Sequence, residues 1–255
     1  MPLEILTIPC LSDNYAFVAH DAASGETALV DVPEAAPILA ALADRGWALG
    51  QVFLTHHHAD HVQGLDEILA AHPARVLGAA ADAHRLPSLD VALTEGDTVR
   101  IGSEAGQILD VSGHTVGHIA LHFSASKAVF TADSLMALGC GRLFEGTPAQ
   151  MWASLGKLAA LPGDTVVYSG HEYTQANGAF AITVDPDNPE LITRIKAIAE
   201  ARARSEPTVP SLLSLELATN PFLRAAEAQV QQAVGMSGAD PAEVFAEIRR
   251  RKDSF

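Results

Sequence analysis

Short apolar runs separated by turn residues dominate the first two thirds of the chain. Runs of four to six apolar or alternating residues predict β-strands, because such segments can bury one or both faces in a sheet. Three longer segments rich in alanine and leucine, at 35–43, 62–71 and 152–161, predict helices. The predicted strands cover residues 3–8, 15–19, 28–32, 51–54, 75–78, 91–94, 98–101, 107–111, 119–123, 128–131 and 165–168.

The pattern changes after about residue 173, where helical periodicity replaces the short apolar runs. Segments 191–204, 225–234 and 241–251 predict helices, and Pro241 stands in the first turn of the third. The sequence therefore predicts an α/β domain over residues 1–172, followed by a smaller helical domain over 173–255.

Composition restricts the class of protein. The 255 residues include 16 Lys and Arg against 31 Asp and Glu, a formal net charge of −15, and 48% are hydrophobic, which indicates a folded globular chain. An acidic chain is poorly suited to nucleic acid or acidic membrane surfaces, so neither is an expected partner. Two cysteines, no signal-like first segment and no run long enough to span a membrane favour a cytoplasmic location.

The most informative segment is His56-His57-His58-Ala59-Asp60-His61, which follows the predicted strand 51–54. In an extended backbone His56 and His58 point to the same side and His57 to the other, so His57 is not expected to be a ligand. Asp60 is expected as the N-cap of the following helix, where it and His61 present a carboxylate and an imidazole together. Such donors suit zinc and related divalent ions. Four of them so close together exceed the need of one catalytic ion, which keeps a position open for water, and so they fit two neighbouring ions.

Three further candidates also follow predicted strands. They are His114 in a glycine-flanked loop, Asp133 just beyond strand 128–131, and His171 after strand 165–168. Strand ends of an α/β sheet share one edge, where sites usually form, so these residues are expected to join the first four. His72 and His84 lack this context, and supporting or core positions are expected for His118 and His122.

The spacing His-x-His-x-Asp-His resembles the first metal-binding loop of the metallo-β-lactamase superfamily. The resemblance implies an αββα sandwich with a two-metal site at one edge. It implies one ion held by His56, His58 and His114 and another held by Asp60, His61 and His171, with Asp133 bridging both.

Within that superfamily the chain is similar to the glyoxalase II, or hydroxyacylglutathione hydrolase, family. The resemblance rests on Gly139–Thr147 (GCGRLFEGT), Gly170–Thr174 (GHEYT), Asn220–Arg224 (NPFLR) and Arg249–Phe255 (RRRKDSF), so it covers nearly the whole chain. It implies contacts with glutathione at Arg142, Tyr173, Arg249, Lys252 and the position of Phe144, where some members have tyrosine. Guanidinium groups pair well with carboxylates, and residues 249–252 form the one run of four cations in this acidic sequence.

The resemblance further implies hydrolysis of an S-(2-hydroxyacyl)glutathione, S-D-lactoylglutathione in the family, to D-lactate and glutathione, the second step of methylglyoxal detoxification. Two divalent ions are implied, zinc in the first place and iron or manganese otherwise, with Asp60 and Asp133 anchoring the ions and orienting the attacking water. A monomer is expected. The alternatives are a mononuclear iron persulfide dioxygenase, another hydrolase of the superfamily, and a non-catalytic metal-binding protein.

Overall fold

The computed structural model describes all 255 residues as a mixed α/β protein, as the sequence predicts. The chain forms two compact units. The first comprises Met1–Asp110 with Val116–Ala132, and the second comprises Val111–Thr115 with Asp133–Phe255. The chain therefore passes between the units three times, at residues 110–111, 115–116 and 132–133.

A six-stranded sheet with strands in sequence order begins the first unit. Its first three strands are antiparallel, whereas the third to sixth run parallel, with Leu29 opposite Val52 and Val52 opposite Val76. Because β3 and β4 are parallel neighbours, Asp31 and Thr55 follow them at the same edge. The strands are β1 (Glu4–Cys10), β2 (Asn14–His20), β3 (Thr27–Val30), β4 (Gln51–Leu54), β5 (Arg75–Ala79) and β6 (Val91–Leu93).

Helices α1 (Ala35–Arg45), α2 (Ala59–Val62) and α3 (Leu65–Ala71) accompany this sheet. Ile38 and Leu42 of α1 and Ile68 of α3 are fully buried against strand residues such as Val52. Gly46 ends α1 with a left-handed φ of 66°, and its N–H donates to Ala43 O, the usual glycine stop. A short 3-10 helix, Ala80–Asp82, follows β5.

A second group of strands completes the first unit as an antiparallel meander. Its strands are β7 (Thr98–Ile101), β8 (Glu104–Asp110), β9 (Ile119–Phe123) and β10 (Ala128–Ala132). The ring centroid of Phe130 on β10 lies 5.7 Å from that of Phe17 on β2 and 6.2 Å from that of Phe123. These aromatic contacts fill the space between the two sheets of the unit.

The second unit is mainly helical. Helix α4 packs on α9, where the rings of Trp152 and Phe245 are 5.9 Å apart, and α5 packs on α6 through buried Ala181 and Leu191. No helix of the chain is both long and apolar enough to cross a membrane. The elements are β11 (Leu135–Met136), β12 (Gly139–Cys140), α4 (Pro148–Ala159), β13 (Val166–Ser169), α5 (Thr174–Val184), α6 (Pro189–Ala203), β14 (Ser211–Leu212), α7 (Leu213–Thr219), α8 (Ala228–Ala233) and α9 (Pro241–Asp253).

Most predicted elements are confirmed, and the exceptions have local causes. The segment predicted as one helix over 62–71 is interrupted at Gly64, where an added Cβ would lie 2.9 Å from Ala35 N. Asp60 is not an N-cap, because α2 begins one residue after His58 and Asp60 lies in its first turn. The helix predicted over 225–234 is shortened to Ala228–Ala233. Helices α5 and α7 and strands β11, β12 and β14 were not predicted.

Candidate metal centre

Four of the predicted ligands lie together in the first unit, directly after β4. The imidazole centroid of His56 is 4.7 Å from that of His58 and 4.2 Å from that of His61. Nε2 of His61 is 3.9 Å from Oδ2 of Asp60, whose side chain also accepts from Nδ2 of Asn14 at 3.1 Å. The strand end and the short helix α2 therefore present three imidazoles and a carboxylate within one small region.

Asp31, which sequence reasoning missed, holds Thr55 and His61 of this group by hydrogen bonds. It is buried at the end of β3, its φ is 58°, and its carboxylate accepts from the N–H and hydroxyl of Thr55 and approaches Nδ1 of His61 at 2.8 Å. A signal was available, since an aspartate in an otherwise apolar segment beside a parallel strand has to be paired.

The hydrogen bonds to Nδ1 determine which nitrogen of each imidazole can bind an ion. A carboxylate only accepts, so Nδ1 of His61 carries the proton, and Nε2 keeps the lone pair. The hydroxyl of Thr55 donates to Asp31, so it accepts from Nδ1 of His56 at 3.0 Å. Both rings are thus held with Nε2 available as a donor atom.

His57 and His118 occupy supporting positions. Nδ1 of His57 lies 2.8 Å from Oδ2 of Asp82, a fully buried carboxylate that also accepts from Nε of Arg85 at 2.5 Å. His118 is fully buried and stacks on His56 with ring centroids 4.6 Å apart. The expectation of a core position for His118 is therefore confirmed. His57 lies within hydrogen-bond distance of Asp82, and its ring also contacts that of His58 edge to face, with centroids 4.9 Å apart.

The remaining three predicted ligands lie together in the second unit. Oδ2 of Asp133 is 3.5 Å from Nε2 of His114 and 3.3 Å from Nε2 of His171, and all three side chains are buried. Nδ1 of His114 lies 2.7 Å from the carbonyl oxygen of Arg142, which can only accept, so its Nε2 also keeps the lone pair. Ala132, directly before Asp133, has a φ of 40°, a left-handed turn that directs the carboxylate away from the strand.

The Gly139–Thr147 segment packs closely on this second group. An added Cβ at Gly141 would overlap the carbonyl oxygen of Asp133 and lie 2.8 Å from Nδ1 of His114. An added Cβ at Gly146 would lie 2.6 Å from the Cα of Gly113, which is also too close. The glycines are therefore required by close approach, and the segment fixes the backbone around His114.

The two arginines of the predicted glutathione site share an acidic partner. Asp253 accepts from Nε and Nη2 of Arg249 at 3.1 and 2.7 Å, and Nε of Arg142 lies 3.4 Å from the same oxygen. Arg249 is only 6% exposed and also donates to the carbonyl of Cys140 at 3.0 Å, whereas the side chain of Arg142 is 58% exposed. Arg142 is thus the more accessible of the two arginines. Arg249 joins α9 to β12 through its hydrogen bond to Cys140. Sequence reasoning did not single out Asp253.

Three further predicted contacts surround His171 and His114. The ring of Tyr173 stacks on His171 with centroids 4.6 Å apart, and Phe144 meets His114 edge to face at 5.3 Å. Nζ of Lys252 donates to the carbonyl of Ala176 in the first turn of α5, just beyond Tyr173.

The donor chemistry of both groups fits divalent metal ions. Imidazole nitrogens with available lone pairs and buried carboxylates are the ligands that zinc, iron and manganese accept in proteins. Oxygen partners on the opposite ring nitrogen, as at His56, His61 and His114, are the usual support of metal-binding histidines.

Replacement of Asp31 by asparagine is expected to weaken metal binding about 10- to 100-fold, the usual effect of losing such a supporting carboxylate. Both carboxylate oxygens of Asp31 accept hydrogen bonds, one from the N–H of Thr55 and the other from Nδ1 of His61. The asparagine amide has only one oxygen, so its NH2 group would face one of these donors and could not accept from it. Zinc affinity measured by chelator competition checks this, with exposed Asp66→Asn as the control. Equal affinities in both variants would contradict the supporting role.

Both cysteines are expected to be unreactive in the folded protein. Burial raises the pKa of the Cys10 thiol to about 11, and burial likewise raises the pKa of Cys140 to about 11 despite the nearby guanidinium of Arg249. A raised thiol pKa means almost no thiolate at pH 8, and thiolate is the reactive form. Iodoacetamide at pH 8 should therefore label neither cysteine until denaturant is added, as read by intact mass; rapid labelling of the folded protein would contradict this.

Two family models match consecutive parts of the chain. The metallo-β-lactamase superfamily model matches residues 20–171, and the model of the hydroxyacylglutathione hydrolase C-terminus matches residues 172–255. A crystal structure of ETHE1 from Myxococcus xanthus has a TM-score of 0.67 and 24% identity, and covers 100% of this chain and 99% of that one. The predicted metallo-β-lactamase fold with a C-terminal helical segment is thereby confirmed.

Curated relatives are similar over their full length. A hydroxyacylglutathione hydrolase of Cereibacter sphaeroides is 68% identical over 255 residues and one of Ruegeria pomeroyi is 67% identical, each alignment covering 100% of both chains. Identity at this level over the whole chain, together with both family models, means that the chain belongs to the hydroxyacylglutathione hydrolase family of the metallo-β-lactamase superfamily.

Proposed function

We propose that the chain is a metal-dependent thioester hydrolase that converts S-(2-hydroxyacyl)glutathione, in the first place S-D-lactoylglutathione, to the 2-hydroxy acid and glutathione. The observation that carries this is the set of buried imidazoles with available Nε2 atoms and the Asp133 carboxylate within 3.5 Å of two of them. Full-length similarity to hydroxyacylglutathione hydrolases supports the thioester as the substrate class.

Two divalent ions are part of the proposal. One would be held by His56, His58 and His114, the other by Asp60, His61 and His171, with Asp133 shared between them. When bound, such ions supply Lewis-acid activation of a water molecule and of the thioester carbonyl. We infer zinc as the native metal, with iron or manganese as substitutes that the same donors accept.

The acidic residues have distinct tasks in this scheme. Asp133, buried beside His114 and His171, would supply negative charge to offset the two bound cations. Asp60 is held by Nδ2 of Asn14, so one carboxylate oxygen has a fixed direction for orienting the attacking water. The leaving group is a thiolate whose parent thiol has a pKa near 8.5, so its departure requires little help from a general acid.

The basic residues of the second unit are complementary in charge to the proposed substrate. A glutathione thioester carries two carboxylates and one ammonium, so it is an anion approaching a protein of net charge −15. Arg142, with its exposed guanidinium, and Lys252 are the proposed partners of those carboxylates. Arg249 is proposed to act with them by holding α9 against Cys140, and Tyr173 and Phe144 supply ring surface beside His171 and His114.

The cellular setting follows from the reaction. Lactoylglutathione hydrolysis removes the product of methylglyoxal capture by glutathione, so we propose the second step of methylglyoxal detoxification as the role. Glutathione chemistry and the two buried thiols favour the reducing cytoplasm, and we propose that the protein acts as a monomer.

The test is steady-state hydrolysis of S-D-lactoylglutathione, followed by loss of thioester absorbance, with metals counted on the same sample. The expected result is rapid turnover with about two ions per chain, lost on chelation and restored by added zinc. A single iron without turnover would favour a persulfide dioxygenase instead. Two ions without turnover would leave the metal centre intact and make the proposed substrate wrong.

A further inference from the structure

Lys252 lies between two aromatic rings of the second unit. Its Nζ is 5.4 Å from the ring centroid of Phe180 on α5 and 5.2 Å from that of Phe255, just after α9. The two rings contact each other edge to face, with centroids 5.6 Å apart. The ammonium therefore faces two π surfaces at distances typical of cation–π interactions.

The two rings differ in what else holds them. Phe180 is 1% exposed and also packs on Phe222, so it belongs to the core of the helical part. Phe255 is 67% exposed, so little of its surface is covered. Packing alone gives a weak reason for a phenylalanine there, whereas a contact with a cation gives a specific one.

The position of the ammonium connects this arrangement to the site. Nζ donates to the carbonyl of Ala176 at 3.3 Å, in the first turn of α5, which begins directly after Tyr173. Tyr173 in turn stacks on His171. An ammonium has three donors, so this bond leaves others for an anionic ligand.

We propose that Phe255 is a positioning residue, which together with Phe180 holds the Lys252 ammonium beside α5 so that it is ready to pair with a carboxylate of the glutathione moiety. The inference rests on the proposed function, because it presumes that Lys252 binds that carboxylate. Lysine is a flexible side chain, and restraining it before binding removes part of the entropy cost of each ion pair. Burial and the adjacent Arg249 lower the pKa of Lys252, whereas the negative charge of Asp253 raises it. An anion bound beside the Lys252 ammonium would therefore stabilise its charged form.

The decisive comparison is Phe255→Leu with Phe255→Tyr, each made in the wild-type chain and with Lys252→Ala. Leucine keeps an apolar side chain without a π face, and tyrosine keeps the π face. In the wild-type chain we expect Phe255→Leu to raise KM for S-D-lactoylglutathione about three- to tenfold with kcat nearly unchanged, and Phe255→Tyr to stay close to wild type. With Lys252→Ala present, Phe255→Leu should add almost nothing, because the two changes remove one interaction.

Two further measurements test the positioning role of Phe255 separately from the proposed hydrolase activity. The Cε protons of Lys252 should be shifted upfield in NMR spectra by the rings, and this shift should shrink in Phe255→Leu whether or not any substrate is turned over. The exposed Lys196→Ala on α6 serves as the control for loss of a cation and should leave KM unchanged. An equal rise in KM with and without Lys252, or an unshifted Lys252, would overturn the positioning role. No hydrolysis by the wild-type chain would instead contradict the proposed function.

Discussion

Replacement of Asp133 by alanine is expected to remove most of the bound metal and to lower kcat/KM at least about a thousandfold. The Asp133 carboxylate lies within 3.5 Å of Nε2 of both His114 and His171. Without it, that group of donors keeps two imidazoles and loses its carboxylate. Metal content by elemental analysis and turnover on the same samples check the prediction.

Two variants make that result specific. Asp44→Ala, at an exposed position of α1, should retain full metal content and activity. Asp133→Asn keeps the shape but not the charge, so it should resemble Asp133→Ala. Full metal content in Asp133→Ala would contradict the bridging role, whatever its turnover.

The second large effect is expected at the buried ion pair of Arg194 on α6 and Glu216 on α7. Glu216 is fully buried and accepts from Nη2 of Arg194, from Oγ of Ser211 at 2.6 Å and from the N–H of Leu138 at 2.9 Å. Glu216→Ala leaves the guanidinium and these donors buried without their acceptor. Removing one partner of a buried pair typically costs about 3–5 kcal/mol, so the free energy of unfolding in urea should fall by about that amount.

The double variant Arg194→Met, Glu216→Leu distinguishes the charge from the packing. Apolar residues of similar volume often replace a buried pair at little net cost, so the double variant should be more stable than Glu216→Ala alone. Alanine at Arg204 and Glu206, an exposed ion pair, should leave stability unchanged. Equal stability of Glu216→Ala and the wild-type chain would contradict the importance of the pair.

Local patterns predicted the strands of the first unit well. Strands β4, β7 and β9 have the predicted bounds, because each is a compact apolar or alternating run between turn residues. The same logic predicted His56, His58 and His61 as candidates, since a parallel strand that ends in polar residues presents them at a sheet edge. The structure places their three imidazoles together after β4. Asp133 and His171 were predicted as candidates because each follows an apolar run, and the structure places each one or two residues beyond a strand.

Features set by distant residues could not be predicted in this way. The carboxylate of Asp31 accepts hydrogen bonds from both Thr55 and His61. The sequence does not indicate this, because the contact depends on the pairing of β3 with β4. Asp253 lies 111 residues from Arg142 in the sequence, yet the two form an ion pair. Helix α5 was missed because it lacks a polar face: its side chains are apolar or uncharged nearly all round, so no helical periodicity stands out.

The threefold passage of the chain between its compact units limits how this protein can be divided. A fragment ending at residue 172, where the two family models meet, would keep α4 but lose α9, and Trp152 would lose the ring of Phe245. It would also carry β11 and β12 without Asn220, whose amide donates to the carbonyls of Met136 and Gly139. A gene fusion or split at residue 172 would therefore cut through the second compact unit and expose apolar surface, which favours aggregation.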